Sequence, residues 1–122
     1  DWKGMVAVSR GGLVPAALLA REIDLRLVDT LCIQSYEGRD QTSLEILKQP
    51  REAVADAGQG WLLVDDIADT GDTLTAARKI LPQAHFATVY AKPAGEGLVD
   101  SVLHVVSQDT WVEFPWEQSP IT

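Results

Sequence analysis

Cysteine is almost missing from this chain. Cys32 stands alone among 122 residues, which excludes an internal disulfide and a cysteine-built zinc site and makes a reducing cytoplasm the expected compartment. Long apolar runs are missing as well. None approaches the roughly 20 residues a membrane-crossing helix needs, so a soluble protein is expected. Positive charge is scarce: 10 Lys and Arg face 18 Asp and Glu, for a net charge of −8. A general nucleic-acid binder normally carries a basic face, so no nucleic-acid partner is expected; a local phosphate site on an acidic protein stays open. Two nucleotide signatures are also absent: no G-x-x-x-x-G-K-S/T follows any strand, and no G-x-G-x-x-G follows the first.

What is present is enough for one folded domain over residues 1–122. The chain is 46% hydrophobic and 23% charged, a balance that buries a core and argues against disorder. Strand patterns fall at Gly4–Val8, Leu27–Ser35, Leu44–Lys48, Trp61–Val64, Phe86–Ala91 and Val102–Val106. Helical patterns fall at Leu13–Glu22, where Pro15 sits harmlessly in the first turn, and at Leu74–Leu81, closed by Pro82. Tyr36–Ser43 reads as an exposed loop, Gln49–Gly60 as a connection around a half-helix, Lys92–Gly97 as a loop, and Gln108–Thr122 as an irregular tail. Strands alternating with helices predict an α/β fold with a parallel sheet. Ligands of such sheets lie beyond the carboxyl ends of the strands.

The chemistry concentrates at Val64–Thr73 (VDDIADTGDT). A buried strand ends in paired aspartates, and the chain then turns through Thr-Gly into a helix. The helix start offers free N–H groups from about Asp69 to Thr73, with the hydroxyls of Thr70 and Thr73 beside them, a cradle suited to a phosphate. Asp65 and Asp66 are pure acceptors that suit sugar hydroxyls or a magnesium ion. Together they fit a ribose 5-phosphate. Each residue alone would pass as an ordinary loop aspartate or helix cap; their combination between strand and helix favours a site.

VDDIADTGDT resembles the phosphoribosyl-pyrophosphate (PRPP) signature of the type I phosphoribosyltransferases. AVSRGGLVPAALLARE (Ala7–Glu22), YAKPAG (Tyr90–Gly95) and QDTWVEFPWE (Gln108–Glu117) resemble the purine branch of that family, the bacterial xanthine-guanine phosphoribosyltransferases. The resemblance runs from Trp2 to about Glu117. It implies a mainly parallel sheet flanked by helices, with a small C-terminal hood that recognises the base. Members have a further N-terminal segment and a slightly longer C-terminus, so an incomplete copy is expected here.

The resemblance also implies roles. Asp65 and Asp66 would hold the ribose hydroxyls, with Mg2+ near Asp66. Ala68, Asp69, Thr70, Gly71, Asp72 and Thr73 would wrap the 5-phosphate, and Asp69 would also face purine N7 as general base. Ser9, Arg10, Gly11 and Gly12 would form the pyrophosphate loop, with a cis peptide matching Arg10–Gly11. Lys92 would donate to the purine 6-oxo group, Trp111 would stack on the base, and Val112 would offer backbone groups to the 2-position. Alone, Lys92 would read as a snorkelling surface lysine and Trp111 as a core or interface residue.

His85 and His104 lie in strands away from metal-ligand spacing and read as structural. The family's mobile-loop arginine is replaced by Thr42 here, with Arg39 nearby, and Glu117 stands where an aspartate is usual. The implied activity is purine salvage: phosphoribosyl transfer from PRPP to a 6-oxopurine such as guanine, xanthine or hypoxanthine. Dimers or tetramers and a loose attachment to the inner membrane follow from the resemblance alone. The alternative is a PRPP-sensing regulator without transferase activity; the acidic charge, Lys92 and Trp111 weigh against it. A haloacid-dehalogenase-like phosphatase needs an Asp-x-Asp at a strand end, and Asp66-Ile67-Ala68 lacks the second Asp.

Overall fold

Alternating side chains sort the inner strands onto two cores. The computed structural model describes residues 1–37 and 42–117. In β1 (Gly4–Ser9), Met5 and Ala7 pack with Ala16 and Ala20 of α1 (Leu13–Glu22). Val6 and Val8 of the same strand join the opposite core, with Ala53 of α2 (Arg51–Ala55) and Leu74 and Ala77 of α3 (Asp72–Ile80). The sheet therefore lies between α1 on one face and α2 and α3 on the other. Its remaining strands are β2 (Val28–Glu37), β3 (Thr42–Lys48), β4 (Trp61–Ala68), β5 (His85–Ala91) and β6 (Ser101–Val105).

The six strands run in the order β3-β2-β1-β4-β5-β6. All neighbours are parallel except β2 and β3, which pair antiparallel at one edge. The α/β class and the mainly parallel sheet are as the sequence predicts. No helix among the described residues is long and apolar enough to cross a membrane.

Element boundaries depart from expectation where chemistry sits. The strand expected to stop at Val64 continues to Ala68, because Asp65, Ile67 and Ala68 keep pairing with Thr88, Tyr90 and Ala91 of β5. Asp65 and Asp66 are thus strand residues, not residues of a following loop. α3 begins at Asp72 rather than Leu74, entered through Gly71 at φ +94. The expected loop Tyr36–Ser43 is shorter, since β2 and β3 pair out to Glu37 and Thr42. Arg39 lies outside the described residues. The loop after β5 contains a single helical turn, α4 (Pro93–Glu96), with proline at its start where the lost N–H costs nothing. Of the expected irregular tail Gln108–Thr122, residues 108–117 are irregular apart from a short 3-10 turn at Pro115–Glu117, and residues 118–122 lie outside the described residues.

Candidate active site

The sheet reverses its winding direction between β1 and β4, the place where open α/β sheets form a crevice. Ser9–Gly12 leaves β1 there, and Asp65 and Asp66 lie in the last residues of β4 beside it, before its end at Ala68. Backbone geometry forces them together. The N–H of Gly12 donates to Val8 O at 2.7 Å, which closes the turn into α1. A Cβ on Gly12 would stand 2.4 Å from Val64 O and 2.8 Å from Val8 O, and one on Gly11 would stand 2.6 Å from Asp66 Oδ2. Only glycine lets this loop lie so close to the aspartate pair. The cis peptide falls between Ser9 and Arg10, one bond earlier than the match at Arg10–Gly11 implied. Arg10 is exposed and Ser9 half-buried.

Asp65 and Asp66 are buried, at 7% and 6% exposure. The N–H of Asp66 donates to Asp65 Oδ1 at 2.8 Å. Burial, reinforced by the adjacent Asp66 charge, pushes the Asp65 carboxyl well above its ordinary value. Burial and then Asp66 also raise the Glu117 carboxyl, which brings the C-terminal turn to the same cluster. No group of His, Cys, Asp or Glu among the described residues completes a metal site by itself.

Beyond the pair, Asp65–Leu74 lines a cleft of about 240 Å³. Among the described residues, no backbone hydrogen bond engages the N–H groups of Thr70, Gly71 or Thr73. That of Asp72 meets Thr70 Oγ1 only at 3.4 Å. Gly71 sits among these donors in a left-handed turn, φ +94, that favours glycine. Beside this cleft, just past the end of β5, stands Lys92, which is only 7% exposed. Its Nζ lies 3.4 Å from Asp69 Oδ2. Gly95 allows α4 to seat Lys92, because a Cβ there would meet the Ala68 carbonyl at 2.7 Å. Buried carboxylates, a ring of free N–H donors and a buried ammonium therefore converge on one crevice.

Residues 4–120 match the model of the phosphoribosyl transferase domain. The chain belongs to the phosphoribosyltransferase family. It is 56% identical over 117 residues to a xanthine-guanine phosphoribosyltransferase of Chromohalobacter salexigens, covering 96% of this chain and 70% of that protein. One from Nitratidesulfovibrio vulgaris is also 56% identical, covering 95% and 69%. Among solved structures, a Helicobacter pylori xanthine-guanine-hypoxanthine phosphoribosyltransferase superposes with a TM-score of 0.75 at 29% identity, over 94% of this chain and 76% of that one. A purine phosphoribosyltransferase from Pyrococcus horikoshii gives 0.77 at 25% identity, over 97% and 79%.

The phosphoribosyltransferase signature and the fold place most of the singled-out residues in that crevice, but not all. Asp65, Asp66, Ala68, Asp69, Thr70, Gly71, Asp72 and Thr73 line one cleft. Gly11 touches it through Asp66, and Lys92 through Asp69. Trp111 is 86% exposed, so it is no core residue, and Val112 beside it is half-buried. Phe114 anchors this segment by packing against Tyr90 and stacking on Trp116. His85 hydrogen-bonds Ser101 Oγ at 2.7 Å, and His104 lies against Tyr90. Sequence reasoning passed over Gln108, whose Nε2 donates to Asp69 Oδ1 at 2.9 Å. Its one signal was its place at the head of the QDTW stretch.

Proposed function

We infer that this chain catalyses purine salvage, transferring the phosphoribosyl group of PRPP to a 6-oxopurine with release of pyrophosphate. The observation that carries this reading is the buried Lys92 ammonium facing Asp69, beside a phosphate cradle and an aspartate pair. A regulator that only sensed PRPP would need the cradle and the pair, but no buried cation at a base site. The related proteins named above are transferases, which favours the enzyme over the regulator.

In this reading the C1–oxygen bond to the diphosphate breaks as purine N9 bonds to C1. The N–H groups of Thr70, Gly71 and Thr73 hold the 5-phosphate, and Asp65 and Asp66 accept from the ribose hydroxyls. The loop Ser9, Arg10 and Gly11 lies against Asp66 and offers donors to the departing diphosphate. Asp69 takes the N7 proton as charge leaves the base. Lys92 donates to O6. Trp111 supplies a flat face for the ring, and the backbone at Val112 reaches the 2-position.

The residues fit a magnesium ion that arrives with substrate. Asp66 is buried beside two carboxyls, Asp65 and Glu117, that resist ionising, and magnesium is commonly held by one or two carboxylates together with substrate phosphates. When bound, it would neutralise charge on the leaving diphosphate. Homodimers or homotetramers, a cytoplasmic location and a loose attachment to the inner membrane belong to the same proposal. The test is product formation from PRPP and Mg2+ with guanine, xanthine, hypoxanthine and adenine in turn. Nucleotide from the 6-oxopurines and little from adenine is expected. PRPP binding without any transfer would return the regulator.

A further inference from the structure

The side-chain amide of Gln108, an exposed residue, bridges two segments. The N–H of Ala94 donates to its Oε1 at 2.9 Å, so the oxygen end faces α4 and the nitrogen end faces away. Nε2 is thereby aimed at Asp69 Oδ1, 2.9 Å distant. The other carboxylate oxygen, Oδ2, meets Lys92 Nζ at the longer 3.4 Å. Asp69 is thus gripped from two sides, firmly at Oδ1 by a neutral donor anchored in backbone and loosely at Oδ2 by an ammonium. In the reading given above, the 6-oxo group draws Lys92, and Oδ2 is then released toward the base. Nothing in the substrate competes for Gln108.

We propose that Gln108 is a positioning residue: it pins Asp69 Oδ1 so that Oδ2 meets purine N7, and it ties the base-recognition segment to the phosphate loop. The proposal rests on the assignment of Asp69 as the partner of N7. Asp69 is an exposed side chain at a strand end, free to turn without such a tether, and a misplaced catalytic group loses much of its rate advantage.

Two substitutions separate this role from mere support of α4. Gln108→Met keeps length and bulk but loses both hydrogen bonds. Gln108→Glu keeps an acceptor for Ala94 N–H but turns a carboxylate toward Asp69. Both should lower kcat by about 10- to 100-fold while the KM for PRPP holds, since the cradle and the aspartate pair are untouched. In an Asp69→Ala background neither should lower kcat further, because interacting sites are not additive. A Gln108→Glu enzyme as fast as the parent, or losses that multiply in the Asp69→Ala background, would overturn the proposal and leave Gln108 a tether for α4. An Asp69→Ala enzyme with full kcat would instead remove the assignment of Asp69, and the proposal with it.

Discussion

At the scale of single residues, Asp69 and Lys92 in the proposed reading divide labour in a way that kinetics can separate. Asp69→Asn should lower kcat by about 10²–10⁴ with little change in the KM for PRPP, measured by steady-state transfer. Equal and small effects of Asp65→Asn, Asp66→Asn and Asp69→Asn would sink that division. Lys92 has three donors and no acceptor, so it matches a carbonyl and opposes the amino group of adenine. The mismatch is about 2–4 kcal/mol, or roughly 30- to 1,000-fold in choice. Lys92→Ala should therefore narrow the guanine-to-adenine ratio, whereas Trp111→Ala should weaken all purines together. A ratio left unchanged by Lys92→Ala would make Lys92 a structural lysine. That lysine also shows how far residue reading reaches. Its place after a strand alone reads as a surface lysine, and only the family resemblance pointed it at the base; its burial depends on Gly95 seating α4 against Ala68, a contact between segments far apart in sequence.

At the scale of elements, glycine sets how closely loops approach the strand ends. Gly12 stands against two backbone carbonyls that cannot move aside. Gly12→Ala should cost about 1–3 kcal/mol from overpacking and push the Ser9–Gly12 loop off Asp66. Urea unfolding and the KM for PRPP read the two effects separately; parent values for both would show that the loop has slack. The element pattern itself was largely readable, because short continuous apolar runs in β1 and β4 mark buried strands flanked by helices. The end of β4 was not. Asp65 and Asp66 look like loop residues by composition, yet the ladder to β5 continues through them. Pairing with a partner strand overrides local polarity there, and it buries the carboxylates that the site uses. Gln108 was illegible for a related reason: its meaning lies in two contacts, with Ala94 and Asp69, that no local pattern encodes.

At the scale of the whole molecule, a clamp joins α3 to the sheet at the end of the strands away from the crevice. Arg78 of α3 donates to Ala84 O at 2.8 Å and Leu98 O at 3.1 Å, and lies 3.7 Å over the Phe86 ring. It also meets Asp100 Oδ2 at 3.2 Å, an oxygen that accepts from Phe86 N–H at 2.8 Å. One guanidinium thus joins α3, the start of β5 and the approach to β6. Burial alone would raise the Asp100 carboxyl, but the Phe86 N–H and the Arg78 charge outweigh it and hold the group below its ordinary value. A carboxyl depressed in the folded state adds stability above its unfolded value, and that contribution disappears as pH falls through the folded one. Asp100 is exposed, so salt screens part of the effect. Asp100→Asn should accordingly lower unfolding free energy by about 1 kcal/mol at pH 7, with a gap that closes below the ordinary carboxylate range. Urea titrations of parent and variant at pH 7 and pH 3, each at low and high salt, measure that gap. A gap of the same size at both pH values would show that Asp100 acts through its shape and its bond to Phe86 rather than through its charge.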